Sequence, residues 1–174
     1  MRRRTLLILR HAKSDRDGAP VADFDRPLAR RGRRDAPRMG RWLEARGLVP
    51  DRVLSSPARR ARETAEAVTA VLRVPAAHLR YDDRLYLAAA DTLLAVLAEC
   101  PSRIGTLLLI GHNPGLEELL ELLSAEPPPR NAAGKLLTAG ALARLELPAG
   151  WDGLTPRCAT LIELARPREL ESQD

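Results

Sequence analysis

The sequence predicts an α/β protein of three layers, αβα, built around a mostly parallel central sheet. Two observations carry that expectation. Thr5–Leu9 and Thr106–Ile110 are continuous apolar runs, the pattern of strands buried on both faces. Around them, segments with helical periodicity alternate with short strand-like runs, as a parallel sheet with crossover helices requires.

The elements follow in chain order. After the first strand comes a polar loop, from Arg10 to about Pro27. Residues 28–46 read as a helix with Met39, Trp42 and Leu43 on its apolar side, and Gly47 suits its C′ position. Pro37 lies inside that span, so a late start or a kink is expected. Arg52–Ser55 reads as a second strand. Ser56-Pro57 then offers an N-cap and N1 pair for a helix to about Leu72, with Ala61, Ala65, Val68 and Leu72 as its core stripe. A short strand is expected near His78–Tyr81, and Asp91 should cap a helix through Leu93, Leu94 and Leu97. Asn113-Pro114 repeats the cap pair before a helix carrying Leu116, Leu119, Leu120 and Leu123. Beyond the stiff Pro127-Pro128-Pro129 loop, Ala141–Leu147 and Thr160–Ala165 read as strands. The tail after Arg168, about residues 169–174, should fray. No repeat or linker divides the chain, so residues 1–174 form one domain.

Composition narrows the function classes. Charged residues make up 29% and no run approaches the roughly 20 apolar residues of a membrane span. The apolar stretch behind Met1-Arg2-Arg3-Arg4 ends at Leu9, too short for a signal peptide. Aromatics are 3%, so Leu, Val, Ile and Ala must fill the core, and nucleic acid would find almost no stacking platform. The net charge is +5 and almost wholly arginine, since Lys occurs only at Lys13 and Lys135. A compositional bias accounts for it; an acidic or phosphorylated partner is the functional alternative. Cys100 and Cys158 stand apart, as reduced thiols of a cytoplasmic protein do. A monomer binding neither nucleic acid nor membrane is expected.

In open α/β sheets, ligands bind beyond the carboxyl ends of the strands. Arg10-His11 follows the first strand, Ser55-Ser56-Pro57-Ala58-Arg59-Arg60 the second, and Gly111-His112-Asn113-Pro114 the third long one. Two histidines and at least two arginines would meet at one edge. That set suits phosphoryl transfer: guanidinium forks bind the equatorial oxygens, one neutral imidazole attacks phosphorus and the other, protonated, donates to a phosphoryl oxygen. Arg59 shares a helix face with Glu63 and Glu66, whereas Arg60 lies nearer the core stripe, so Arg60 is the better pocket residue. His78 has no such setting. No nucleotide-binding glycine motif, zinc-binding spacing or serine-nucleophile elbow is present, and no metal or other cofactor is expected.

These residues resemble the histidine phosphatase superfamily, which includes the phosphoglycerate mutases. Leu9-Arg10-His11-Ala12-Lys13-Ser14 is similar to its R-H-G signature, with Ala12 where Gly is commoner. Ser55-Ser56-Pro57-Ala58-Arg59-Arg60-Ala61-Arg62-Glu63-Thr64-Ala65 resembles its S-S-P-x-x-R-A-x-Q-T-A block. Gly111-His112-Asn113-Pro114-Gly115 looks like the segment with the second pocket histidine, and Asp25-Arg26-Pro27-Leu28 matches the usual spacing before the first helix. The short chain and the G-H-N-P-G segment are most similar to the SixA-type protein-phosphohistidine phosphatases.

The resemblance implies a phosphoglycerate mutase-like fold, His11 as nucleophile, and Arg10, Arg60 and His112 as phosphate-binding residues. It implies metal-independent hydrolysis of phosphohistidine on a protein, a phosphotransfer domain or a phosphocarrier, through phospho-His11. Larger relatives carry an acid that protonates the leaving group. Asp83 is the nearest candidate here, and a solvated turn residue is its alternative role. A broad phosphomonoesterase acting on small metabolites is the rival enzyme. A non-enzymatic basic binding module is the rival from another class.

Overall fold

The apolar runs become strands whose two faces feed two different cores. A computed structural model of the chain describes residues 3–148 and 150–171. Strands β1 (Arg4–Arg10), β2 (Arg52–Ser55), β3 (Leu79–Tyr81), β4 (Thr106–Gly111), β5 (Leu142–Leu147) and β6 (Thr160–Ala165) form one sheet in the order β3-β2-β4-β1-β5-β6. The first four run parallel; β5 is antiparallel to β1 and to β6. Side chains alternate across a sheet. Leu7 and Leu9 therefore pack with Leu108 and Ile110 against Met39, Leu43, Ala61 and Val68. Those four lie on α1 (Arg30–Ala45) and α2 (Arg59–Leu72). Leu6 and Ile8 join Leu107 and Leu109 on the other face, against Leu93, Leu97, Leu116 and Leu120. That face is covered by α3 (Ala90–Ala98) and α4 (Gly115–Leu123). The result is three layers, αβα, as expected. Trp151 is the one large aromatic in this core, its Nε1–H donating to the Ile104 carbonyl at 2.8 Å.

Several local expectations need correction. Helix α1 runs through Pro37 without interruption, starting at Arg30 behind Ala29 rather than at Leu28. Its end is as expected: Gly47 has φ +65° and donates to Glu44, while Leu48 donates to Leu43, the double bond of a Schellman stop. Neither cap pair caps. Helix α2 begins at Arg59 behind Ala58, and α4 begins at Gly115 behind Pro114. Ser56 and Asn113 stay beside the helix ends, but Ser56 accepts from the N–H of Ala58 and Asn113 donates to Glu117, so neither accepts from a first-turn N–H within its helix. Asp91 lies in the first turn of α3, where Ala89 takes the cap position. Residues after Arg168 do not simply fray. Helix α5 (Pro167–Glu171) is held because Glu171 accepts from Arg34 and Arg38 of α1, whose partner Asp35 is buried. Residues 172–174 lie outside the described residues. Cys100 and Cys158 are free and half-buried at the core's edge. No helix among the described residues is long and apolar enough to cross a membrane.

The parallel register does the positioning. Arg10 pairs with Gly111 and Ser55 with Ile110, so β1, β4 and β2 end at one level. Their next residues, His11, His112 and Ser56, then share an edge. Gly115 seats α4 there: a Cβ on it would lie 1.8 Å from the Ala88 carbonyl oxygen. Gly115→Ala should destabilise the protein by about 1–3 kcal/mol through overpacking, lowering Tm by roughly 3–10 °C. Thermal melts check this; an unchanged Tm would show that the Ala88 loop gives way freely.

Candidate active site

His11 leaves β1 with its main chain still in the ladder, its N–H donating to the Gly111 carbonyl at 3.1 Å. A carbonyl only accepts, so the Nδ1–H of His11 donates to Ala12 O at 2.7 Å. That fixes the tautomer and leaves a lone pair on Nε2. The ring of His112 lies beside it, centroids 5.2 Å apart. His112 Nε2 is 2.7 Å from Ser56 Oγ, and its Nδ1 faces the guanidinium of Arg60 at 3.3 Å. A guanidinium only donates, so Nδ1 accepts and the Nε2–H donates to the serine. Ser56 also takes the Ala58 N–H at 3.2 Å. The serine expected to cap α2 thus orients a ring.

Arg60 stands where the helix-face argument put it. It is buried, its Nε donating to His11 Nε2 at 3.3 Å. Arg59 points outward to Glu63 at 2.8 Å. Thr64, one turn on, accepts from the Ala12 N–H at 3.1 Å and donates to the Arg60 carbonyl, tying α2 to the loop that carries His11. Arg10 donates to the Leu137 carbonyl at 3.0 Å, and Asn113 donates to the same oxygen at 2.8 Å. These four predicted residues, Arg10, His11, Arg60 and His112, line one cavity of about 560 Å³. Lys13 and Lys135, the only lysines of the chain, line it too, with Arg16 and Arg168.

Asp83 is not brought to this cavity. It is exposed on a 3-10 turn (Asp83–Leu85), where its carbonyl accepts from the Tyr86 N–H. A carboxylate that does reach the two rings' surroundings is Asp23, from the turn Asp23–Asp25 inside the first loop; Asp35 of α1 lines the cavity as well. It accepts from Arg60 NH2 at 3.1 Å and from the Tyr86 hydroxyl at 2.5 Å. Sequence reasoning missed Asp23, Tyr86 and the ring-orienting role of Ser56. Only Ser56 carried a signal, its place in the quoted S-S-P block. His78 is exposed and does not line this cavity.

Burial sets the charge state. It is the largest cause pushing His11 down to about 3, and the charges of Arg60 and Arg10 push the same way. His112 is lowered to about 4, by burial first and Arg60 next. Both rings are thus neutral near neutral pH, whereas the chemistry read from the sequence has one protonated. An anion bound beside them would raise their proton affinity, since a nearby opposite charge favours the protonated form. Asp23 is held ionised, most of all by the Tyr86 hydroxyl.

The model of the histidine phosphatase superfamily (branch 1) matches residues 6–86. A structure from Nakamurella multipartitia, proposed to be the phosphohistidine phosphatase SixA, is 34% identical. It is covered over 96% of its length, against 95% of this chain, with a TM-score of 0.77. The chain belongs to the histidine phosphatase superfamily. A structure of the protein histidine phosphatase SixA complexed with tungstate matches with a TM-score of 0.79 at 27% identity, over 95% of this chain and 99% of that one. An uncharacterised protein of Mycobacterium tuberculosis is 39% identical over 92% of this chain and 100% of its own length. A mycobacterial glucosyl-3-phosphoglycerate phosphatase, 20% identical with a TM-score of 0.67 over 92% of this chain and 97% of that one, shares the fold. Among this superfamily's phosphatases the chain is of the SixA type.

The neutral rings give this phosphatase a pH signature. Unfolded, its histidines titrate near 6.5; folded, His112 and His11 titrate near 4 and 3. Protons therefore favour the unfolded chain, and stability is full above about pH 6.5 and falls as pH drops toward those folded values. Tm should decline between pH 6.5 and 4 in wild type, and less steeply in a His11→Gln/His112→Gln double variant. Equal slopes would contradict a neutral pair.

Proposed function

We propose that this phosphatase hydrolyses phosphohistidine on a protein, through a phospho-His11 intermediate. The observation that supports it is the state of the carboxyl groups. Asp83 is outside the cavity, and the two that line it, Asp23 and Asp35, are ion-paired to arginines. Among the described residues lining the cavity, no carboxyl group is free of an arginine partner to serve as a protonated acid for a leaving group. An alcohol leaves poorly as an alkoxide without one. A phosphohistidine ring protonated at its other nitrogen departs as neutral imidazole, whose conjugate acid has a solution pKa of about 6.5, and needs no positioned acid.

The steps balance. The Nε2 lone pair of His11 attacks phosphorus, and the bond from phosphorus to the substrate imidazole breaks. The departing nitrogen keeps the electron pair, and because the other nitrogen of the substrate ring carries a proton, the ring leaves as neutral imidazole. Water then attacks phospho-His11, Nε2 recovers its pair, and inorganic phosphate leaves. Arg10 and Arg60 carry the charge of the equatorial oxygens, and His112 donates from Nδ1 once the anion has raised its proton affinity. The exposed cations Lys13, Arg16, Lys135 and Arg168 around the cavity suit the acidic surface of a macromolecular substrate.

A panel of a phosphohistidine protein, phosphoramidate and p-nitrophenyl phosphate tests this. The two P–N donors should turn over much faster than the ester. His11→Ala should abolish turnover, and radiolabelled phosphate should be trapped on His11 after an alkaline quench. Loss of the Arg60 donor in Arg60→Ala should cost about 10²–10³ in kcat. Asp83→Asn should leave the ester rate unchanged. Release of phosphate by His11→Ala at the wild-type rate would end this mechanism. A preference for esters that Asp83→Asn removes would favour the metabolite phosphatase instead.

A further inference from the structure

The donors of Arg60 divide into two sets. NH1 donates to the main-chain carbonyl of Asp23 at 2.7 Å, and NH2 to its Oδ2 at 3.1 Å. Nε faces His11 Nε2 and NH2 also faces His112 Nδ1, each at 3.3 Å. Asp23 thus holds one edge of the guanidinium plane while the Nε–NH2 edge is presented to both imidazole nitrogens. A phosphoryl group seated between those rings meets that second edge.

Asp23 is itself fixed from two sides. Arg26 donates to its Oδ1 through Nε and NH2, at 3.1 and 2.9 Å, and anchors its own NH1 on the buried Ser14 hydroxyl at 2.7 Å. Tyr86 holds Oδ2 and stands edge-on to the His112 ring, centroids 5.5 Å apart. Arg60 is 3% exposed, and among the described residues its ion pair is with Asp23. The Asp23 side chain is 48% exposed, so its attraction is screened and contributes direction more than stability.

We propose that Asp23 is a positioning residue, whose carbonyl and carboxylate hold the outer edge of Arg60 so that the inner edge stays aimed at the phosphoryl group. This rests on the phosphatase reading above. It accounts for a carboxylate standing beside an anion site. The charge of Asp23 is shared by Arg26, Arg60 and the Tyr86 hydroxyl, and the group aims a donor instead of passing a proton.

Asp23→Asn keeps the shape and the main-chain contact but replaces one acceptor oxygen with an NH2 group facing donors. With phosphoramidate, kcat should fall about tenfold or more, since a misplacement of about 1 Å can cost roughly 10²-fold. The competitive inhibition constant of inorganic phosphate should stay within about threefold or tighten, because a negative charge leaves the anion's surroundings. Tyr86→Phe, which frees one oxygen of Asp23, should lie between wild type and Asp23→Asn. A readout that needs no turnover is the Arg60 Nε proton in ¹H–¹⁵N spectra. It should be protected from exchange in wild type and exchange faster in both variants. Unchanged kcat and unchanged exchange in the folded variants would overturn the proposal. A parallel loss of kcat and phosphate affinity would also overturn it, since that marks a collapsed pocket and not a misaimed donor. Should the wild type release no phosphate from any donor, the phosphatase reading fails, and the Nε proton still decides the role of Asp23.

Discussion

A buried guanidinium pressed against two imidazole nitrogens is the constraint on which this site depends. Arg60 carries a permanent charge, and burial already disfavours a second one on either ring. Both histidines are therefore neutral at working pH, and the hydrogen bond from His11 to Ala12 O decides that the free lone pair is on Nε2. In the proposed mechanism that lone pair attacks phosphorus without a general base. Arg60 is paired with Asp23, yet the cations lining the cavity outnumber the carboxylates Asp23 and Asp35. A phosphoryl group would offset that excess, which in the proposed mechanism couples binding to the charge state that His112 needs in order to donate.

The fold exists, from the viewpoint of this site, to bring three strand ends to one level. Residues 11, 56 and 112 are far apart in the chain, yet the parallel register of β1, β4 and β2 sets them side by side. The two cores on either face of the sheet make that register rigid. Rigidity matters because the donors of Arg60 reach the rings at 3.3 Å, where a small slip loses the contact.

Much of this was legible in the sequence, for identifiable reasons. Leu6–Leu9 and Leu107–Ile110 are apolar on both sides because both faces of a central strand are covered. Arg60 could be told from Arg59 because helical periodicity separates a core-facing residue from one that pairs with Glu63. The errors at the site share a source in long-range contacts. Ser56 and Asn113 have side chains able to cap a helix, but each also has a partner across the site, in His112 and in Leu137, and the helices start one or two residues later than the pairs suggest. Local chemistry cannot anticipate a long-range competitor. Asp23 and Tyr86 were invisible for the same reason. They meet through two irregular turns with no periodicity to read, and neither stands in a motif position. Asp83 was sought as the acid because it stood near the right place in the chain. The turn that carries it aims Tyr86 inward instead and leaves Asp83 exposed.

The most direct test is a crystal structure of the protein with bound tungstate or phosphate. The anion should sit between the rings of His11 and His112, within hydrogen-bond distance of His11 Nε2, His112 Nδ1, Arg10 and the Nε–NH2 edge of Arg60. An anion held only by Lys13, Arg16, Lys135 or Arg168, with the space between the two rings unfilled, would contradict the account.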